Sequence, residues 1–544
     1  MKYYPMMNKL ILLSVAAFLL VSLPDIFAAD LCEPGVQSSA ALTRVDVSVS
    51  ADEPRCGIKP YIKNSSYWEY HGKPIMLIGG SDRDNIFQWA GHSKKLTDHL
   101  DLLFSCGGNY IRCTMSSREY TSEGYRWDLL PYPFARINGK YDLTKWNDVY
   151  WNKLRTFLIE TRKRGIILQL EFWDRWNECG DSRQPNSGWY HTPCNPNNNS
   201  TYNWADSPLL KPGRTNFYNT FHYAAIDQDP VLLPLQKDFT KKVIDEVIDG
   251  GFDHVLFQID NESGIGDDTL EPDPYWARFT RNYAESKGVD VYVCTSRRFH
   301  WPTPRQTIDF QDWNNPEIRV PIVNTTFNFC DISQNNGNHG QQHYDNLIWY
   351  QSKVQEHGLR PINHTKCYHF NWPTGTNFHH RTSPTDTEAG SKFWRAVFAG
   401  AASIRFHRHT PTRPGGLREG FGLSPEGQRH LRSMREFINV VDLFTMKPYN
   451  DLLSQRVTNE AYCLAEPGRQ YAVFFTGDAD RCVRIELAAP MHSLQLRWLN
   501  VATSQWVQKD LNSDVETCTL KAPGSGHWVA VLTSVNPKNN LNPL

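Results

Sequence analysis

The feature that most restricts the fold is a local pattern that recurs between about residue 70 and residue 410. Each copy has an amphipathic stretch, one or two glycines, and then a short apolar strand with polar residues at its far end. One copy has apolar residues on a helical face from 239 to 248, then Gly250-Gly251, then an apolar strand at 255–259. Glycine directly after a helix and before a buried strand is typical of βα units.

Repeated βα units over this length predict a parallel barrel or a doubly wound sheet. No GxGxxG motif opens any of the helices, which argues against the dinucleotide-binding form of the doubly wound sheet. The sequence therefore predicts an α/β fold with a (β/α)8 TIM barrel over residues 66–445, preceded by an N-terminal extension at 30–65.

The pattern changes after about residue 445. Short alternating apolar runs are separated by turn residues such as Gly477-Asp478 and Pro523-Gly524, and they occur at 471–475, 483–487, 494–499 and 528–532. Alternation with turns at this spacing predicts a small antiparallel β-sandwich. We expect this accessory domain at 446–535 and a loose tail at 536–544.

The first thirty residues have the layout of a secretory signal peptide. Lys2 and Lys9 flank the start of an apolar run at 10–23, and Ala28-Ala29 offers small residues for cleavage. The run is shorter than the roughly 20 residues of a membrane-spanning helix. We therefore expect a signal peptide at 1–29, a secreted or periplasmic protein, and no membrane insertion after cleavage.

An exported chain with 12 cysteines can form disulfides. Cys179 and Cys194 bracket one Asn/Pro/Gly-rich loop, and they are the pair that we predict. Their spacing matches no zinc motif.

Charge and aromatic content bear on the class of ligand. The formal net charge of −1 lacks the basic excess of a nucleic-acid binder. The chain has 18 Trp, 24 Tyr and 27 Phe, and several tryptophans fall in polar, Pro- and Asn-rich stretches, where aromatic faces suit stacking on sugar rings. We predict a carbohydrate partner and take as candidate stacking platforms Trp173, Trp301 and Trp372.

The segment 257–264 (FQIDNESG) is the best candidate for an active-site strand. Active sites of (β/α)8 barrels lie at the C-terminal ends of the strands. Strand alternation places Phe257 and Ile259 on one face and Gln258, Asp260 and Glu262 on the other. If the apolar pair faces the helices, Glu262 points into the mouth of the barrel. The other interpretation is a loop carboxylate that caps the next helix.

Asn261-Glu262 resembles the strand-4 Asn-Glu signature of clan A glycoside hydrolases, in which the Glu is the general acid/base. The wider resemblance is to apiosidase-like hydrolases, which are barrels with a C-terminal collagen-binding-type domain. Residues 72–82 (GKPIMLIGGSD) and 109–112 (NYIR) resemble the first two strands of that family, and 496–500 and 527–529 resemble strands of its appended domain. The resemblance implies glycosidase activity with Glu262 as general acid/base, Asn261 at a sugar hydroxyl and Arg112 bracing the catalytic carboxylate.

The position of the family's nucleophile differs in this chain. In the family, this glutamate follows strand 7, five residues after a Lys-Pro or Arg-Pro pair. Here Arg360-Pro361 places Lys366 at that point, and no Asp or Glu occurs between Glu356 and Asp386. Glycoside hydrolysis normally requires two carboxyl groups. Two interpretations follow. The chain is a hydrolase whose second carboxylate lies elsewhere, which an inverting reaction would allow, or it is a carbohydrate-binding barrel that has lost hydrolysis.

Three other acids follow predicted strands and could supply the second carboxylate, namely Asp82, Glu171 and Asp331. Placed farther from Glu262, any of them could activate water for an inverting reaction. Each could instead be a structural acid that pairs with a nearby arginine or lysine.

Basic groups also gather near predicted strand ends. Arg405, His407 and His409 alternate on the predicted strand 404–409, and with Arg112 and Lys366 they would form a positive mouth. Such a mouth could bind an anionic sugar, or its cations could neutralise nearby acids. A polysaccharide lyase that uses Lys366 or a histidine as base is a third reading.

We predict no catalytic metal and no cofactor. Lone histidines without a ligand pattern are more often surface or substrate-contact residues than metal ligands, and this applies to His339, His343, His379 and His380. The sequence does not indicate an oligomeric state.

Overall fold

The computed structural model describes residues 57–88, 96–121, 124–178, 187–207, 221, 223–263, 272–297, 309–368, 388–409, 420–477, 482–491, 494–511 and 515–534. The predicted signal peptide and the C-terminal tail lie outside these residues. So do several residues singled out in the sequence, namely Cys179, Trp301, Trp372, His379 and His380.

Fifteen strands precede the C-terminal region of the described chain. They are β1 (Lys59–Pro60), β2 (Trp68–Tyr70), β3 (Lys73–Ile75), β4 (Leu77–Gly80), β5 (Tyr110–Thr114), β6 (Glu119–Thr121), β7 (Gly124–Arg126), β8 (Phe134–Ile137), β9 (Lys140–Trp146), β10 (Ile167–Asp174), β11 (Val255–Ser263), β12 (Val293–Arg297), β13 (Cys330–Asp331), β14 (Ile362–Cys367) and β15 (Ser403–Phe406).

Ten α-helices alternate with these strands or follow them in the described chain. They are α1 (Leu96–Ser105), α2 (Asp148–Lys163), α3 (Arg175–Glu178), α4 (Gly188–His191), α5 (Leu232–Ile248), α6 (Pro272–Ser286), α7 (Pro316–Val323), α8 (Gly340–Glu356), α9 (Glu388–Phe398) and α10 (Pro425–Ile438). Short 3-10 helices lie at Ile86–Gln88, Ser333–Gly337 and Asn450–Leu452.

Eight parallel strands form one nearly closed sheet, in the order β12-β11-β10-β5-β4-β15-β14-β13. Among the described strands, β12 and β13 share no ladder, and Asn328 bridges the gap between them. Its backbone N–H donates to the Val293 carbonyl at 3.1 Å, and its side-chain oxygen accepts from the Val293 N–H at 2.5 Å. The predicted (β/α)8 barrel is confirmed.

Close strand contact fixes the start of the barrel. A Cβ on Gly79 of β4 would lie 1.9 Å from the carbonyl oxygen of Tyr110 on β5. Only glycine fits there, because no side chain can occupy that space. The glycine therefore allows the first two barrel strands to pair.

The lower lumen of the barrel is filled by hydrogen-bonded polar side chains. The Gln169 amide donates to Gln258 Oε1 at 2.5 Å and its oxygen accepts from Tyr110 Oη at 2.5 Å. Asn363 donates to the same Gln169 oxygen at 2.8 Å and accepts from the indole N–H of Trp68 at 2.9 Å. Trp68 comes from the small antiparallel sheet β1-β2-β3, so this sheet is tied to the barrel interior.

The C-terminal region contains two antiparallel sheets. They are built from β16 (Lys447–Pro448), β17 (Leu453–Ser454), β18 (Ala461–Glu466), β19 (Gln470–Phe475), β20 (Cys482–Met491), β21 (Leu494–Asn500), β22 (Gln505–Leu511), β23 (Val515–Lys521) and β24 (Trp528–Ser534). One sheet has the order β16-β18-β19-β24-β21-β22 and the other β17-β20-β23. The predicted C-terminal β-sandwich is confirmed, while its exact boundaries and those of the barrel stay predictions.

The sandwich packs directly on the last two helices of the barrel. Trp394 of α9 stacks on Phe474 of β19 with ring centroids 5.5 Å apart, and Phe398 contacts the same ring. Ser433 of α10 donates to the Val501 carbonyl at 2.7 Å. The barrel and the sandwich therefore share a buried apolar interface. No helix of the described chain has both the length and the apolar character needed to span a bilayer.

Candidate functional site

The end of β11 departs from regular strand alternation. Relative to β12, its register shifts between Gln258 and Asn261 and again between Asn261 and Ser263. Glu262 has a φ of 63°, in the left-handed region that non-glycine residues seldom adopt. Bulges re-aim side chains and are frequent beside active sites. Here both Asn261 and Glu262 reach the same ammonium group, whereas regular alternation would place them on opposite faces.

That ammonium belongs to Lys366, which a second irregularity brings to the site. Between His364 and Cys367 the register of β14 shifts relative to β15. His364 faces α8, where its Nε2 lies 3.0 Å from His343 Nε2. Lys366 Nζ donates to Glu262 Oε1 at 2.7 Å and to the Asn261 side-chain oxygen at 3.2 Å.

The exposure of this ion pair is unequal. The Lys366 side chain is 1% exposed and the Glu262 side chain is 19% exposed. Solvent and small molecules can therefore reach the carboxylate, while the lysine lies behind it. The sequence-based placement of Glu262 at the C-terminal end of the fourth barrel strand agrees with this geometry.

Arg112 connects three groups beneath the ion pair. Its Nε donates to Glu171 Oε1 at 2.5 Å, its Nη1 to Asp84 Oδ1 at 3.3 Å, and its Nη2 to the Asn261 oxygen at 2.5 Å. Its side chain is fully buried. The arginine therefore fixes the orientation of Asn261, which lies beside Glu262.

Glu171 is completely buried at this level of the lumen. Burial raises the pKa of Glu171 to about 8, although Arg112 and Lys366 oppose the shift. A carboxyl group with no exposed surface cannot reach a bound sugar directly. Its position favours a structural role next to Arg112 over the catalytic role that the sequence allowed.

Asp84, which sequence reasoning missed, is the most heavily paired acid of the site. Burial alone would raise its pKa, but the surrounding basic side chains hold the pKa of Asp84 well below its usual range. These neighbours are His407, Arg408, Arg112 and Arg405. Asp84 therefore offsets part of the positive charge of the predicted mouth. Only its position two residues after Asp82 in the sequence could have indicated it.

The predicted strand 404–409 is shorter in the structure, since β15 ends at Phe406. Arg405 donates to the Thr365 carbonyl at 2.9 Å and to Ser81. His407 is buried beside the ring of Tyr368, with ring centroids 4.3 Å apart, and burial keeps its pKa well below the usual histidine range. His407 Nδ1 lies 3.6 Å from Asp84 Oδ1, and the ring is too deeply buried to be an open substrate contact.

Asp331 lies on β13, the strand at the end of the sheet order. Its Oδ2 accepts from the Gln169 amide at 3.2 Å and from Thr365 Oγ1 at 3.3 Å, and its Oδ1 accepts from the Ser333 N–H at 2.8 Å. The residue is half-buried. Unlike Glu171, Asp331 keeps some exposed surface and remains a candidate for the second carboxylate.

Asp82 serves as an anchor for a loop. Its Oδ1 accepts from the Leu423 N–H at 2.9 Å, and His99 Nδ1 lies 3.8 Å from its Oδ2. These contacts fix the loop before α10 and give Asp82 a structural role beside its predicted substrate contact.

The predicted platform Trp173 is a core residue, which corrects its interpretation as an exposed stacking surface. It is 6% exposed and packs against Trp276 at 4.7 Å, Phe221 at 6.4 Å and Phe239 at 6.5 Å between ring centroids. Strand alternation would place it on the same side as Glu171, but its ring packs against Phe239 of α5 and Trp276 of α6.

Trp176 is better placed than Trp173 to contact a ligand. It is half-buried in α3, directly after β10, and the Arg175 guanidinium lies 4.6 Å from its ring centroid. The preceding Asp174 accepts from Asn261 at 3.0 Å, so Trp176 stands close to the Asn261-Glu262 end of the site.

Two other expectations concern metals and thiols. Within the part of the chain that the structure describes, no group of three His, Cys, Asp or Glu side chains is arranged to hold a metal ion. His343 is buried against His364. The predicted Cys179–Cys194 disulfide is not confirmed, because Cys194 carries a free thiol and Cys179 lies outside the described residues.

A second buried glutamate, Glu178, ends α3. Its side chain accepts from Thr192 Oγ1 at 3.3 Å, and burial raises the pKa of Glu178 to about 8. Because the pKa in the folded chain exceeds the ordinary value of 4.5, its contribution to stability is present below about pH 4.5. That contribution is lost as the pH rises through about 8.

Replacement of Glu178 by glutamine is therefore expected to stabilise the fold at pH 9, by up to about 5 kcal/mol at 1.36 kcal/mol per pKa unit. At pH 4.5 the two proteins should have nearly equal free energies of unfolding. Urea unfolding at both pH values measures this, with the exposed Glu486→Gln as control. A gain that is the same at both pH values would contradict the assignment.

Comparisons with known proteins agree with this architecture. No protein-family model matches the chain, and no curated protein matches it in sequence. Among solved structures, a glycoside hydrolase family 5 protein from Bacteroides vulgatus superposes with a TM-score of 0.56 and 12% identity, over 89% of this chain and 94% of that one. Another, described as a glycoside hydrolase, gives a TM-score of 0.57 and 10% identity, over 88% of this chain and 97% of that one. At these identities the similarities concern the fold alone.

Proposed function

We propose that this chain is a secreted glycoside hydrolase that acts on an oligo- or polysaccharide, with Glu262 as general acid/base. The observation that carries the proposal is the Glu262 carboxylate, partly exposed at the C-terminal end of the fourth barrel strand and held there by Lys366. Catalytic groups of (β/α)8 barrels lie at this end.

The surroundings of Glu262 support this chemistry. Asn261 lies beside it and is oriented by Arg112 and Asp174, which suits a contact with a sugar hydroxyl. Trp176 offers a half-buried ring nearby for stacking on a sugar. The two solved structures described above are glycoside hydrolases of the same architecture.

Lys366 stands where a retaining enzyme of the resembled family has its nucleophile, so we propose an inverting reaction. In inverting enzymes the two carboxyl groups are about 6.5–9.5 Å apart, which leaves room for a water molecule. Asp331 is the better candidate for the base that activates this water, because it is half-buried whereas Glu171 has no exposed surface.

The finer relationship is also part of the proposal. The Asn-Glu pair and the order of barrel and sandwich favour an apiosidase-like hydrolase whose C-terminal domain supports the barrel. The aromatic interface of Trp394, Phe398 and Phe474 favours this supporting role, and nothing in the interface requires a collagen ligand.

Lysine 366 is expected to control the pH profile of hydrolysis. An ammonium 2.7 Å from a carboxylate favours the ionised carboxylate, whereas a general acid must carry a proton. In Lys366→Met we expect the alkaline limb of the kcat/KM profile to move to higher pH. Lys366→Arg keeps the positive charge and is the matched control. An unchanged alkaline limb in Lys366→Met would show that the lysine does not govern the proton on Glu262.

A panel of glycans tests the proposed function. Reducing-end release should occur with at least one plant, algal or microbial glycan for the wild type and be lost in Glu262→Gln. Binding without turnover in both proteins would replace the proposal with a non-hydrolytic carbohydrate-binding barrel. Release of an unsaturated, ultraviolet-absorbing product would indicate a lyase instead.

A further inference from the structure

A cavity lies beside the third barrel strand, outside the lumen. Its walls come from the end of β10, the hairpin β8-β9, the loop after α4 and the helix α5, and its empty volume is about 640 Å³ including space open to solvent. Apolar side chains dominate the lining, among them Phe134, Leu143, Phe172, Leu235 and Phe239.

Three buried polar atoms belong to residues that line this cavity and have no hydrogen-bond partner among the described residues. They are Tyr132 Oη, Glu178 Oε2 and Gln236 Oε1. The three residues are 5%, 7% and 3% exposed. A buried polar atom without a partner is destabilising, so three of them in residues around one cavity favour a ligand that pairs with them.

We infer that this cavity is a binding site for a small apolar alcohol, an aliphatic or aromatic body that carries one hydroxyl group. The body fits the apolar lining. The hydroxyl group can accept from the phenol of Tyr132 or from the acid of Glu178, and it can donate to Gln236 Oε1.

The protonation of Glu178 supports the choice of a neutral partner. Burial raises the pKa of this group to about 8, and the nearby Asp260 and Asp174 act in the same direction. A neutral carboxylic acid donates one hydrogen bond, whereas a ligand cation would require the ionised form. An anionic ligand would face the two carboxyl groups that line the cavity, those of Asp174 and Glu178.

The cavity is a separate site, although it touches the proposed catalytic centre at one residue. Asp174 lines the cavity and also accepts from Asn261. Trp173 forms part of the wall between the cavity and the helices. The inference does not depend on hydrolase activity and is tested by binding alone.

Isothermal titration calorimetry with benzyl alcohol, and with toluene as its apolar match, tests the inference on the full-length protein. The wild type should bind benzyl alcohol at least tenfold more tightly than toluene. Glu178→Leu should weaken the binding of benzyl alcohol about tenfold, which corresponds to one hydrogen bond. The affinity for toluene should not change in this variant. Leu235→Trp should fill the cavity and abolish the binding of both compounds. The control Leu359→Trp, at an exposed position, should change neither affinity.

Absence of binding heat with benzyl alcohol in the wild type would overturn the inference. Unchanged binding of benzyl alcohol in both Glu178→Leu and Leu235→Trp would overturn it as well, since binding would then occur elsewhere. If Leu235→Trp does not fold, the test rests on the ratio of the dissociation constants for toluene and benzyl alcohol in Glu178→Leu. A ratio equal to that of the wild type would count against the site.

Discussion

Replacement of Glu262 by glutamine is expected to lower kcat for glycan hydrolysis by about 10²–10⁴-fold, because the amide cannot donate a proton to the departing oxygen. KM should change little. Glutamine has nearly the same shape and still offers an oxygen to Lys366, which lies 2.7 Å from the carboxylate in the wild type. Steady-state kinetics on a glycan identified by reducing-end release measures both constants.

The matched control is Glu436→Gln, at an exposed position of α10. It should leave both constants unchanged. A loss of less than tenfold in Glu262→Gln, or an equal loss in the control, would remove Glu262 from the role of proton donor.

Replacement of Arg112 by methionine is expected to lower the free energy of unfolding by about 3–5 kcal/mol. The guanidinium is fully buried and pairs with Glu171 and Asp84. Methionine fills part of the volume but leaves the ionised Asp84 without one of its cations and Glu171 without its hydrogen-bond donor. Removing one partner of a buried ion pair is costly because the remaining charge stays desolvated.

Urea unfolding at pH 7, followed by tryptophan fluorescence, measures this loss. Arg432→Met, at an exposed position of α10, is the control and should cost less than about 0.5 kcal/mol. A loss below 1 kcal/mol in Arg112→Met would mean that Arg405 and Arg408 balance Asp84 without it.

Much of the fold follows from local sequence patterns. Apolar periodicity and the terminating Gly250-Gly251 place the helix α5 and the strand β11 correctly, because burial of one helical face and of a whole strand leaves a clear periodic signal. The change to alternating runs after residue 445 likewise predicts the sandwich. Both signals are local, so a single sequence carries them.

The arrangement of the site depends on features that local patterns do not encode. The bulges near Asn261 and Lys366 break the period of two on which strand alternation relies. Asp84 meets Arg408 across 324 positions of sequence, and only the closed barrel brings them together. Trp173 is two residues after the polar Glu171, near the end of a strand, so its sequence context does not indicate burial. Its burial against α5 and α6 arises from tertiary packing.

The dependence of hydrolysis on the leaving group tests the role of Glu262 most directly. Phenyl and 2,4-dinitrophenyl glycosides of the same sugar would be compared in the wild type and in Glu262→Gln. Phenoxide departs poorly without a proton, so we expect the phenyl glycoside to lose about 10²–10⁴-fold in kcat/KM. Dinitrophenolate departs readily without a proton, so the kcat/KM of its glycoside should fall far less. Equal losses for the two substrates would contradict proton donation by Glu262.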